Sequence, residues 1–499
     1  MDATNVTKKG LEQTKKHDLV FPTDAAALLF GVLIFSVAVF AWNRGFLNDP
    51  DTYWHIATGK WMLAERAFPR QDIFSHTAVG QPWVNMEWLA QIILAWIYDW
   101  FGWRGLVLLC GLVIALTFVL LYALLARELR ATVALGAAAI SLLFASSHFL
   151  ARPHLLTFPI IVVWTAFLAR ASDENRRPSL WLLPLMVLWA NLHGGFTLGL
   201  VLAAGFGLEA TIAAPSAKRR RVAIEWLSFW VGALLAGCVT PYGYHYILQT
   251  FHVFDLGDLL RHIGDVRPMN PHTEFNQEVI LLSLMGMGLI FGVKIGFVRV
   301  LMIFGLLHLA LQHVRGLAIF ALVLPLMIAH PLHEQFSFLR PSTDPLPLFD
   351  MRRLRPVVTT MAVITTLLVA SLLGTAYVIS RPVDAPPDHL APAAALDYAR
   401  KTNVTGPVLN DIDFGGYLIF RGIPTFIDGR ALPFGKRFAL DYIAATKLGA
   451  GDKLERLADA HNVSWTLLSP WSAAALHFDH SPGWRRMYAD DVAVIHVRR

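Results

Sequence analysis

Two acids flank a proline in Asn48-Asp49-Pro50-Asp51, and Thr52-Tyr53-Trp54-His55 follow directly. Proline fixes its own φ and keeps the residue before it extended, so both carboxylates are held in one geometry. A rigid carboxylate can bind a divalent cation such as magnesium or manganese, or act as general base towards an acceptor hydroxyl. Asp49 is the first candidate for the catalytic and metal-binding roles, and Asp51 the second. Asp51 followed by Thr52 can also simply cap a helix over 52–66. Three further motifs carry cations: Arg152-Pro153-His154, Asn191-Leu192-His193-Gly194-Gly195 and Gln312-His313-Val314-Arg315. Arginine and histidine suit a phosphate, arginine through paired hydrogen bonds, and the two glycines allow close approach. Each of Arg152, His154, His193 and Arg315 taken alone can instead snorkel to lipid head groups. Glu87 is the remaining acid, either facing inward or solvated at a helix start.

The elements that must position these residues are membrane helices. The chain has 499 residues, 55% hydrophobic and only 16% charged, with a mean hydropathy of +0.50. A soluble domain is about a quarter charged. Lys8, Lys9, Lys15 and Lys16 precede a first apolar run at 25–42, long enough to cross hydrocarbon of about 30 Å and read as uncleaved. Further runs lie near 104–126, 131–149, 154–170, 179–192, 195–214, 222–240, 277–293, 296–313, 315–332 and 356–379. The expected fold is therefore an all-α polytopic membrane bundle of about eleven spans.

Basic residues occupy every second connection: Arg127 and Arg130; Arg170, Arg176 and Arg177; Lys218 to Arg221; Lys294 and Arg299; Arg340 and Arg352 to Arg355. Positive charge marks the cytoplasmic side, so residues 1–24 are read as a cytoplasmic tail. This orientation accounts for the net charge of +6 better than nucleic-acid binding does. The outer side then holds the Asp-Pro-Asp motif, all four cations and two long loops, 43–103 and 240–276. Within the first loop, 53–66 and 87–100 read as two interfacial helices that roof the bundle. In the second, His245, His252, His262 and His272 lack the i, i+3 or i, i+4 spacing of a zinc motif. Cys110 and Cys238 likewise have no partner at ligand spacing.

A transmembrane domain over 25–380 is followed by a small α/β domain over 381–499, expected in the periplasm. Its Pro-rich start reads as a linker. Helices are expected at 393–402, 437–447 and 452–461, and β-like runs at 407–409, 417–420, 425–427, 465–468 and 492–497. Asp428 and Arg430 are spaced to pair across a turn. They can also wall an acceptor site.

The order of first span, acidic outer loop, two interfacial helices, bundle and outer domain resembles the GT-C superfamily of polytopic membrane glycosyltransferases. Asp49-Pro50-Asp51-Thr52-Tyr53-Trp54-His55-Ile56-Ala57-Thr58-Gly59 is similar to the stretch after the first helix of oligosaccharyltransferases. The resemblance assigns metal binding and catalysis to Asp49. A bacterial branch of glycosyltransferases is closer still, through Trp54-His55, Glu87-Trp88-Leu89, Arg152-Pro153-His154, Asn191 to Phe196, Pro241-Tyr242-Gly243, Arg315 and Phe426 to Arg430. It adds Trp54, His55 and Glu87 to Arg152, His154, His193 and Arg315 as substrate-binding candidates. The chain lacks a WWDYG-type motif and the Asp-Glu pair of O-mannosyltransferases, which argues against protein N-glycosylation and O-mannosylation.

Together these readings imply an inverting glycosyltransferase of the bacterial inner membrane. It would move a sugar from a polyprenyl-phosphate donor to a hydroxyl on a glycolipid, glycan or protein at the outer face. The alternatives are a transporter or flippase of lipid-linked glycans, or a non-catalytic membrane scaffold. No internal repeat of the transporter kind is evident.

Overall fold

The computed structural model describes residues 25–255, 268–270, 272, 275–341, 376, 386–449 and 451–499. The N-terminal tail, the centre of the second outer loop and, Ala376 apart, the eleventh expected span lie outside the described residues.

Helix α1 (Ala25–Ala41) is apolar except for Ser36, whose hydroxyl donates to the Val32 carbonyl. Helix α2 (Asp51–Glu65) buries Tyr53, Trp54, Ile56 and Met62 and exposes its last turn, as an interfacial helix should. Helix α3 (Trp88–Leu125) is 38 residues long and joins the second expected interfacial helix to the next span. The two halves meet at Gly102, whose φ of 61° and ψ of −155° suit only a residue without Cβ. The bundle continues through α4 (Ala131–Ala145), α5 (Phe158–Asp173), α6 (Leu182–Leu192), α7 (Phe196–Ala213) and α8 (Ser216–Gly237). Helix α9 (His245–Asp255) forms within the second outer loop, where no helix was expected. Next come α10 (Phe275–Ile290), α11 (Phe297–Gln312) and α12 (Gly316–Gln335).

Among the described residues, five helical stretches are long and apolar enough to cross a membrane: 88–125, 131–148, 153–173, 196–213 and 316–335. Shorter apolar helices fall within α1, α6, α10 and α11. The molecule is a membrane protein built as a helical bundle with a small sheet unit at its end.

Arg299 lies at a helix end as expected, in the first turn of α11, but is buried rather than facing the cytoplasm. It is 2% exposed. Its Nη2 lies 2.7 Å from both Asp173 Oδ1 and Glu209 Oε2, and its Nη1 donates to the Met327 carbonyl at 2.9 Å. The guanidinium therefore pins α5, α7, α11 and α12 together. A buried, doubly paired charge carries little information about orientation.

The C-terminal elements are α13 (Ala393–Lys401), β1 (Val408–Asn410), α14 (Ile412–Phe420), α15 (Gly435–Ala445), α16 (Lys453–Ala460), β2 (Trp465–Leu468), α17 (Ala473–His480), β3 (Trp484–Ala489) and β4 (Val494–Arg498). The sheet runs β1-β2-β4-β3, with β1 parallel to β2 and the other pairs antiparallel. Two expected strands are absent. Residues 417–420 end helix α14, whose run Phe414 to Ile419 is buried on every side and so shows no periodicity in sequence. Thr425 forms a single bridge to Ser75 in the first outer loop. Helix α17 and strand β3 were not anticipated.

These elements interlock with the first outer loop. The Tyr53 ring meets Tyr417 and Phe420 with centroids 5.0 and 5.3 Å away. His76 N–H donates to the Thr425 carbonyl at 2.9 Å, and Thr425 N–H to the Phe74 carbonyl at 3.0 Å. Loop and C-terminal unit together close one end of the bundle.

Candidate active site

Two hydrogen bonds set the Asp-Pro-Asp motif against the Arg152-Pro153-His154 segment. Ala151 N–H donates to the Phe46 carbonyl at 2.8 Å, and Thr52 Oγ1 donates to the Ala151 carbonyl at 3.3 Å. This brings Arg152 onto the motif. Arg152 Nε bonds Asp49 Oδ2, Nη2 donates to Asp49 Oδ1 at 2.6 Å, and Nη2 also lies 2.9 Å from Asp51 Oδ2. One guanidinium thus clamps both carboxylates.

The two acids differ sharply in setting. Asp49 is 1% exposed, and its Oδ1 also accepts the Asp51 N–H at 3.0 Å. Asp49 therefore supports the start of α2, and Asp51 is already in the helix rather than capping it. Asp51 accepts Trp54 Nε1–H at 2.9 Å and faces a cavity. The Arg152 guanidinium contacts both Asp49 oxygens, so a divalent cation there would have to share the carboxylate with it. The clamp itself brings a positive charge to the motif.

The cavity has a volume of about 290 Å³. Asp51, Trp54, His55, Glu87, Arg152, His154, His193 and Arg315 all line it, and Asp49 sits behind Arg152. The basic segments from three separate helix ends therefore converge on one space.

Glu87 stands at the start of α3 between two imidazoles, with Oε2 3.5 Å from His55 Nδ1 and Oε1 3.4 Å from His193 Nε2. The surrounding bonds fix the protons. Gly195 N–H donates to His193 Nδ1 at 3.0 Å, so a neutral His193 carries its proton on Nε2, facing Glu87. Asn85 Nδ2 donates to Gln91 Oε1 at 2.7 Å, which turns the Gln91 amide nitrogen to His55 Nδ1 at 3.3 Å. His55 Nδ1 is then an acceptor that faces the Glu87 carboxyl. Burial raises the Glu87 carboxyl from its ordinary value to about 7, with Asp51 and Asp49 adding to the rise and Arg152 and Arg315 opposing it. Burial, then the charges of His154, Arg315 and Arg152, lowers His193 to about 3. Burial likewise holds His55 well below its ordinary value. The result is a carboxyl poised near neutrality between two uncharged imidazoles. Such a group can take and return one proton.

His154 donates from Nε2 to the His148 carbonyl at 3.2 Å, leaving its Nδ1 as an acceptor. The far wall comes from the C-terminal unit through Gly429, Arg430, Ala431 and Leu432. Arg430 pairs with Asp428 as the spacing predicted, with Nε 2.7 Å from Oδ1 and Nη2 2.7 Å from Oδ2. It also donates to Asp72 Oδ1 at 2.5 Å and lies over the Trp83 ring. Its segment is thus both a structural pair and a cavity wall.

Gly429 approaches so closely that a Cβ would lie within 3.0 Å of Asp51 Oδ1. Gly429→Ala is expected to push this wall off the motif and destabilise the protein by about 1–3 kcal/mol. Thermal unfolding in detergent measures the fall, and an unchanged midpoint would show that the contact is dispensable.

Asn85, Gln91 and Asp72 were missed from sequence. Asn85, two residues ahead of Glu87 and just before an apolar run, was the one local signal. Gln91 and Asp72 act through partners distant along the chain.

The sequence matches no protein-family model and no curated protein. Solved structures do match. The apo oligosaccharyltransferase of Archaeoglobus fulgidus superposes with a TM-score of 0.50 at 11% identity, over 95% of this chain and 74% of that one. The same archaeal protein in complex with Zn and sulfate gives a TM-score of 0.40 at 12% identity, over 95% and 73%. ArnT from Cupriavidus metallidurans bound to undecaprenyl phosphate gives 0.43 at 10% identity, over 94% and 98%. The chain shares its fold with the first of these, the archaeal oligosaccharyltransferase.

Proposed function

We propose that the chain is a membrane glycosyltransferase that moves a sugar from a polyprenyl-phosphate donor to an acceptor hydroxyl on a glycolipid, glycan or protein. The reaction takes place at the outer face of a bacterial inner membrane, with the N-terminus cytoplasmic and the C-terminal unit periplasmic. The observation that carries this reading is Glu87, raised to about 7 by burial, in a cavity that also holds Arg315. The fold supports it.

Glu87 is the proposed general base and takes the acceptor hydroxyl proton, with His55 and His193 orienting its carboxyl. The acceptor oxygen attacks the sugar C1 while the C1–O bond to phosphate breaks. A single displacement inverts C1. Arg315 and His154 meet the departing phosphate. Arg152 is already shared between Asp49 and Asp51, so its part is to hold Asp51 towards the acceptor.

The test is full-length protein in liposomes carrying polyprenyl-phosphate hexose labelled in the sugar. Release of polyprenyl phosphate together with label on an added membrane glycolipid fraction is the expected result. Movement of the intact lipid-linked sugar across the bilayer, with no cleavage, would replace this reading with a flippase.

A further inference from the structure

A second ionisable cluster lies at the other end of α12, about 27 Å along the helix from Arg315. His330 and His333 are three residues apart on α12, so both rings reach one side of it. Glu128, in the turn after α3, places Oε2 3.3 Å from His330 Nδ1 and 3.2 Å from His333 Nδ1. Ligand atoms of all three residues lie within 4.8 Å of one another.

Distance alone does not separate a metal site from hydrogen bonding. A tetrahedral zinc ion with bonds near 2.0–2.1 Å has ligand atoms about 3.3–3.4 Å apart, which these spacings also match. The ring nitrogens bear on the choice. His333 Nε2 lies 3.1 Å from Glu334 Oε1, and a carboxylate can only accept, so the ring donates there. In a neutral imidazole this leaves Nδ1 as a bare lone pair. His333 Nδ1 is buried and makes no hydrogen bond, yet it faces the Glu128 carboxylate. Two acceptors at that separation need a proton or a metal ion between them, and the His330 ring nitrogen beside the same oxygen gives a metal ion a third donor. A carboxylate behind a ligating histidine is also how protein metal sites fix the ring. The place is favourable too, since the last turn of a helix carries partial negative charge.

We propose that Glu128, His330 and His333 bind one divalent transition-metal ion, zinc by their nitrogen and oxygen donor set. Water completes the shell. The ion clips the end of α3 to the end of α12, away from the cavity where the sugar chemistry is proposed. Both helices reach the cavity at their other ends, through Glu87 and Arg315.

The experiment uses full-length protein in detergent, stripped with chelator and titrated with zinc sulfate. One equivalent should bind and protect His330 and His333 from diethylpyrocarbonate, read by peptide mass spectrometry on the wild-type chain. Glu334→Gln should weaken binding roughly tenfold. His330→Gln with His333→Gln should remove the equivalent, and Glu87→Gln with His193→Gln should keep it. X-ray absorption at the zinc edge of the one-equivalent complex should show two imidazole ligands. Fewer than two imidazoles, or equal labelling with and without zinc, would overturn the site and leave a plain imidazolium–carboxylate contact. The protection and absorption readouts need no variant, so they stand even where a substitution prevents folding.

Discussion

Glu87→Gln is expected to lower kcat for sugar transfer on the order of 10²- to 10⁴-fold while the protein stays folded. The amide keeps the shape and loses the ability to accept a proton. In the wild type, kcat/KM should rise with pH through about 7 as the Glu87 carboxyl ionises. The residual rate of the variant should lack that limb. Stability gives an independent sign. A carboxyl whose folded pKa exceeds its ordinary 4.5 binds its proton more tightly when folded. Its ionisation therefore costs stability as pH rises from the ordinary range to about 7, and the full cost is present above that. The Gln variant escapes this cost, so at pH 8 it should unfold no lower than the wild type. Wild-type kcat in the variant would sink the assignment. If Asp51→Asn abolishes the pH limb and Glu87→Gln does not, the base is Asp51.

Most of this site is legible in the sequence as a grouping on one side of the bundle. Charge alternation and hydropathy put Arg152, His154, His193 and Arg315 on the same side as the acidic loop, and all four do line the cavity with Asp51 and Glu87. The proposed function divides the roles among the acids differently from the sequence reading. Asp49 looked like the base because an Asp-Pro pair is visible locally. Its clamp by Arg152 lies 103 residues away along the chain and has no local signature. Glu87 looked like a solvated helix start, since the residues that bury it arrive from α2 and from the turn before α7. The C-terminal unit shows the same limit. The helix ranges at 393–402 and 437–447 were legible from periodicity. Residues 417–420 read as a strand in sequence because helix α14 is buried on all sides, between the sheet and α2. Tertiary burial erases the periodicity that sequence reading depends on.

Arg152→Met is expected to destabilise the protein by about 3–5 kcal/mol, since it leaves the buried Asp49 carboxylate without its partner. Asp49 is 1% exposed, so water cannot replace the two bonds that Arg152 makes. Asp49→Asn should cost less, because Arg152 keeps its contact with Asp51. The double variant Asp49→Asn/Arg152→Met should be more stable than Arg152→Met alone, as the orphaned charge is gone. Chemical unfolding in detergent gives all the values, and the cycle should return a coupling of about 0.5–3 kcal/mol for residues in contact. The rival assignment, Arg152 as the phosphate-binding residue, predicts otherwise. It requires Arg152→Met to raise the KM for the donor with little change in the unfolding midpoint, and the double variant to be no better than the single one. The clamp predicts lost stability, rescue by Asp49→Asn and a donor KM that tracks Arg315 instead. The two readings thus separate on three measurements, and the geometry favours the clamp because Arg152 spends Nε and Nη2 on carboxylates before any phosphate arrives.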